Sequence, residues 1–132
     1  MLDTNTASYI LNNKSPVART RISSLQKSET VCISVITEAE LIFGVEKLDL
    51  GGKRRRLLDW FLSLVSVPAW GREEAAVYGK LRARQEALGK ALSPLDTQIA
   101  AHAIAIGAHI VSHDNAFKSV LHLAVVDWAT DL

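Results

Sequence analysis

Cysteine is almost missing from this chain: Cys32 stands alone. One thiol cannot close an internal disulfide, and it is too few for a cysteine-based zinc site. The chain is therefore expected to hold together without staples, in a reducing cytoplasm. Cys32 lies in the apolar run Val31-Cys32-Ile33, so its expected role is packing. Long apolar runs are also missing; none approaches the roughly 20 residues of a membrane-spanning helix. No basic, apolar and small-residue leader opens the chain, so neither membrane nor secretion is expected. There is no glycine-rich phosphate loop and no nucleophilic Ser or Cys motif. Aromatic residues make up only 6% of the sequence. Trp60, Trp70 and Trp128 are read as core or interface residues rather than base-stacking platforms. The histidines lack ligand-like spacing, and His102 sits in an apolar stretch that marks it for packing.

What is present suits a globular protein. Of 132 residues 48% are apolar, mean hydropathy is +0.14, and no repeat or linker divides the chain. A single domain over residues 1–132 is expected, long enough to bury a real core. Short apolar segments alternate with helical patterns. Residues 1–3 read as the end of a strand, short enough to suggest a start slightly upstream or a trimmed sequence. Helices are expected at 4–11 and 17–26. Residues 31–36 are β-branched and read as a central strand. Thr37-Glu38-Ala39-Glu40 then reads as a capping box opening a helix to about residue 47. Residues 53–64 are helical and 65–67 a short strand. Residues 72–88 form a long helix with Ala76, Tyr78, Leu81 and Leu88 expected on its buried side. Ser93-Pro94 opens a nearly all-apolar helix to residue 106. Strands at 109–112 and 124–126 flank a short helix at 115–120. This order predicts a three-layer α/β/α domain with a mostly parallel sheet of four to five strands.

Four acidic residues fall where apolar runs give way to helix starts: Asp3, Glu40, Asp96 and Asp114. Parallel sheets bind ligands at the carboxyl ends of their strands, and the helix after a strand begins at that same edge. Four carboxylates converging there would repel one another unless cations held them. Hard oxygen ligands favour Mg2+, or Mn2+ in its place. Taken singly each residue has a plainer role: Glu40 in its capping box, Asp96 at a helix dipole, Asp114 in a turn. Their shared edge is what points to a site.

Net charge is only +1, but setting those four aside leaves 15 basic against 10 acidic residues. The excess is densest at Arg54, Arg55 and Arg56 and again at Arg82 and Arg84. Cations around an acidic pocket suit a nucleic-acid enzyme, the basic residues binding phosphates outside it.

Leu2-Asp3-Thr4-Asn5, Ile33-Ser34-Val35-Ile36-Thr37 with Ala39-Glu40-Leu41 and Gly44, Pro94-Leu95-Asp96 leading into Ile99-Ala100 and His102-Ala103, and Ile110-Val111-Ser112 with Asp114 and Phe117 resemble the motifs of VapC-type toxins, which are PIN-domain ribonucleases. The resemblance runs over nearly the whole chain and keeps the family's order. It implies a Mg2+-dependent endoribonuclease that cuts structured RNA with a metal-activated water and is silenced by a cognate VapB antitoxin. It makes Asp3, Glu40, Asp96 and Asp114 the catalytic and metal-binding set, with Asn5 and Ser112 as polar supports. Ser112 stands where the family usually has Thr, and Ala116 where an acidic residue is frequent, which weakens the hold on a second metal. Residues 91–96 look most like members that cut initiator tRNA in the anticodon loop. A homodimer and a larger toxin–antitoxin assembly are implied as well, with an antitoxin helix docking near Ile10, Leu11 and residues 45–50.

Two other readings compete. A non-catalytic RNA- or protein-binding module would keep the fold without the chemistry. A phosphatase of the haloacid-dehalogenase type needs a second Asp where Asn5 stands, so its general acid is missing.

Overall fold

The computed structural model describes residues 1–25, 28–48 and 51–128. Among these residues six helices dominate: α1 (Thr4–Leu11), α2 (Pro16–Ser23), α3 (Val35–Leu48), α4 (Lys53–Leu62), α5 (Arg72–Ala87) and α6 (Pro94–Ile106). Strands β1 (Ile110–Val111) and β2 (Val125–Val126) follow, separated by a 3₁₀ turn over Asn115–Ser119. Among the described residues no helix is long and apolar enough to cross a membrane.

Local chemistry sets these boundaries. Ser15 caps α2 by accepting the Ala18 N–H at 3.3 Å, with Pro16 at the first helical position. Ser93 and Pro94 open α6 in the same way, and Gly107 closes it at φ 71°, a left-handed conformation that favours glycine. The tail expected for α2 at Gln26 lies outside the described residues. The start of α3 corrects the expected capping box. Ser34, not Thr37, caps the helix by accepting the Ile36 N–H at 3.0 Å. Thr37 lies inside the helix, so Glu40 belongs to its second turn rather than its first.

The sheet is also smaller than expected. Among the described residues it has two strands, β1 and β2, paired in parallel with Ile110 opposite Val125 and Val111 opposite Val126. Three further segments join by isolated parallel bridges: Leu2 to Val111, Leu2 to Ile33, and Cys32 to Ser66. The lateral order is therefore 66, 32–33, 2, β1, β2. Helices begin at Thr4 and Val35, directly beyond Leu2 and Ile33, leaving too few extended residues for a ladder.

Neighbouring residues in these segments alternate between two apolar cores, as a pleated backbone requires. Leu2, Ile33 and Val111 join Ala7, Ile10, Ile22, Leu41, Leu58 and Phe61 on one side, under α1 to α4. Met1, Cys32 and Ile110 join Leu81, Ile99, Ala100, Ala103 and Phe117 on the other, under α5 and α6. This gives the α/β layering, with α6 buried through Ala100, Ala101, His102 and Ala103. On α5 the buried positions are Leu81 and Gln85, whereas Ala76 and Leu88 are exposed. Gln85 is tolerated inside because its amide donates to the Lys90 carbonyl and the Ser119 hydroxyl, each at 3.0 Å. Cys32 is buried as expected.

Candidate active site

Asp3 leaves the sheet directly into α1, and its carboxylate is buried there. Oδ1 accepts the Thr6 N–H at 2.8 Å, which caps the helix, and Oδ2 accepts the Ser112 hydroxyl at 2.6 Å. Ser112 follows β1, and its Oγ also accepts the Asp114 N–H at 2.9 Å. Asp114 in turn caps the 3₁₀ turn, its Oδ1 accepting the Ala116 N–H at 2.9 Å. One hydroxyl thus binds two of the expected acidic residues to the same sheet edge.

Asp96 arrives from the other core layer, on the first turn of α6. The Ser93 hydroxyl accepts its backbone N–H at 3.1 Å. Burial raises its carboxyl above the ordinary carboxylate value; hydrogen bonding to Ser93 opposes this, and the charges of Asp3 and Asp114 raise it further. Asp3, Asp96 and Asp114 therefore share one electrostatic neighbourhood.

Glu40 comes from α3. Its place in the second turn of α3 leaves it exposed on a groove between α1, α3 and α4, with Thr4, Ser8, Leu11 and Arg54. The groove and the site meet at Thr4, next to Asp3. A hydrogen bond of 3.1 Å between the Thr4 and Thr37 hydroxyls fixes α1 against α3 there. Asn5 is exposed on the first turn of α1. Thr37 carried a visible signal, but as a helix cap; its bond across to Thr4 had none, since 33 residues separate the two.

The basic residues divide by surroundings. Arg54 lines the Glu40 groove, and Arg82 lines a small cleft with Leu92 and Pro94 at the start of α6. Arg55 pairs with Glu46 at 3.9 Å and Asp59 at 3.5 Å, and Arg82 with Glu86 at 3.1 Å. Arg56 is exposed, and Arg84 borders an apolar dip formed by Val77, Leu81, Ile104 and Leu121. The tryptophans are not free platforms. Trp128 is buried, and the Arg19 and Arg21 guanidinium groups cover Trp60 and Trp128 at 4.5 and 5.5 Å.

Among the described residues no group of three or more His, Cys, Asp or Glu side chains is gathered closely enough to hold a metal ion as it stands. The donor chemistry still fits a hard divalent cation: three mutually repelling carboxylates share one edge, and among the described residues no basic side chain is hydrogen-bonded to Asp3 or Asp114. For the expected antitoxin surface, Leu11 and Val45 line the groove, Ile10 is wholly buried and does not line it, and Asp49 and Leu50 lie outside the described residues.

Comparison with known proteins bears on the family and fold of the chain. Residues 1–123 match the family model of the PIN domain. A ribonuclease VapC2 of Rickettsia felis is 33% identical over 129 residues, 97% of this chain and 96% of that protein. A tRNA(fMet)-specific endonuclease VapC of Shigella flexneri is 32% identical over 98% of this chain and 97% of its own length. Among solved structures, VapBC2 of Rickettsia felis bound to a DNA fragment from its promoter matches with a TM-score of 0.90 at 33% identity, over 97% of both chains. DNA-bound VapBC from Salmonella typhimurium matches with a TM-score of 0.87 at 32% identity, over 97% of this chain and 96% of that one. With its acidic residues at the edge where these motifs meet, the chain belongs to the PIN-domain family, among the VapC ribonucleases.

Proposed function

We propose that this protein is a Mg2+-dependent endoribonuclease toxin that hydrolyses a phosphodiester bond in structured RNA and is held silent by a cognate VapB-type antitoxin. The observation that carries the reading is the junction of Asp3, Ser112 and Asp114 with Asp96 beside it. Asp3, Asp96 and Asp114, with Glu40 approaching from α3, would hold Mg2+ or Mn2+, which when bound supplies Lewis-acid charge and an acidified water. The chain's own residues do the rest. Thr6 and Ser112 fix the rotamer of Asp3 by donating one hydrogen bond to each oxygen. Each oxygen keeps a further lone pair for a cation. Ser112 sets the height of Asp114 through its backbone N–H. The first turn of α6 favours anions, which suits a phosphate beside Asp96.

Arg54, in the groove with Glu40, and Arg82, in the cleft at the start of α6, would serve as phosphate contacts, with Arg55, Arg56 and Arg84 adding to the basic surround. Cleavage within tRNA is supported by the likeness to the Shigella endonuclease, which is specific for tRNA(fMet). An antitoxin partner is supported by the VapBC complexes among the structural relatives. The groove between α1, α3 and α4 suits a helix from that partner, and an arginine on it could engage the carboxylates. The reading includes a homodimer, a larger assembly with the antitoxin, and a cytoplasmic location.

The test is cleavage of total RNA with Mg2+, with and without EDTA, by wild type and Asp96→Asn, followed by end mapping. Cleavage by wild type alone, abolished by EDTA, is expected. RNA binding without Mg2+-dependent cleavage would favour a non-catalytic module instead.

A further inference from the structure

One buried imidazole is unused by this chemistry. His102, on α6, is fully buried, and its Nδ1 lies 2.7 Å from the Oγ of Ser34, which is itself fully buried. Ser34 already accepts the Ile36 N–H and still has its own O–H to give. If Nδ1 were the donor, the serine proton and the Nε2 lone pair would both be left buried and unpaired. With Ser34 donating to Nδ1, only the Nε2–H is left without a close partner. That nitrogen lies in a ring set edge-on to Trp70, with centroids 5.6 Å apart. Burial also lowers the imidazole below its ordinary range, although the Glu74 carboxylate and the Ala69 carbonyl pull the other way.

We infer that His102 is a positioning residue: by accepting the Ser34 proton it ties α6, which carries Asp96, to the cap of α3, which carries Glu40. The inference rests on the nuclease reading above. Two more side-chain bonds extend the link, Thr37 to Thr4 from α3 to α1, and Ser112 to Asp3 from the end of β1 to the cap of α1. Every segment that bears one of the four carboxylates is thus joined to the next by a directional bond. Apolar contact alone would not do this, because the alanines of α6 offer a smooth face and the hydrophobic effect has no direction. A carboxylate displaced by 1 Å can cost on the order of 100-fold in rate.

The test compares His102→Leu, which keeps the bulk and removes the acceptor, with His102→Asn, whose carbonyl oxygen can replace Nδ1. His102→Leu should lower kcat by about tenfold or more with KM for RNA nearly unchanged, and His102→Asn should recover most of the loss. Nitrogen NMR of wild type at neutral pH should show Nδ1 unprotonated and Nε2 protonated. If His102→Leu fails to fold, Ser34→Ala provides the same division between kcat and KM. Wild-type kcat in the leucine variant, equal impairment of both His102 variants, or a protonated Nδ1 overturns the positioning role while the nuclease stands. A wild type that cleaves no RNA overturns the nuclease reading and the positioning role with it.

Discussion

Asp96 has a higher proton affinity than an ordinary aspartate because it is partly buried between two like charges. Its carboxyl is raised in the folded protein, so its contribution to stability is complete below the ordinary value of 3.8 and is lost as pH rises through the folded value. Asp96→Asn should therefore melt above wild type at pH 7 in EDTA. The difference should close below pH ~4, where the unfolded carboxyl protonates too. Added Mg2+ should raise the wild-type melting point and leave the variant nearly unmoved; calorimetry with and without Mg2+ reads both effects. Ser112 gives a second prediction. Ser112→Ala leaves Asp3 Oδ2 and the Asp114 N–H without their shared partner, at a cost of about 1–3 kcal/mol in urea unfolding. Ser112→Thr keeps the hydroxyl and should retain both stability and cleavage.

Among the elements, α3 shows most clearly what sequence patterns can and cannot specify. Val35 and Ile36 follow an apolar β-branched run and continue its strand-like pattern. Yet helix penalties for such residues are only a few tenths of a kcal/mol, and a buried serine cap with a packed face outweighs them. The helix therefore starts at Val35, and Glu40 moves a turn away from the sheet edge. Chemical denaturation should find Ser34→Ala costly by about 1–2 kcal/mol. The start of α6, by contrast, was legible: Ser93, Pro94 and Gly107 mark its ends through local chemistry. Asp3, Asp96 and Asp114 were legible for the same reason, since each stands at a visible boundary. The strands were harder, because single bridges at Leu2, Ile33 and Ser66 depend on distant partners. The bond between His102 and Ser34 could not be read at all, as 68 residues separate them.

For the whole molecule, the proposed function sets a basic surround about the acidic edge. Arg54 lies in the groove with Glu40 and Arg82 in the cleft at the start of α6, whereas Arg55 lines neither. Arg54→Ala and Arg82→Ala should each weaken RNA binding and reduce its salt slope by about one, with Arg55→Ala doing less; filter binding across a salt series measures this. All of it depends on the carboxylates that end the chain's extended segments receiving a common cation. Anomalous diffraction from crystals soaked in Mn2+ tests that most directly. A peak within about 2.0–2.3 Å of carboxylate oxygens of both Asp3 and Asp96 is expected. A protein saturated with Mn2+ whose peaks all lie away from these two residues would contradict it.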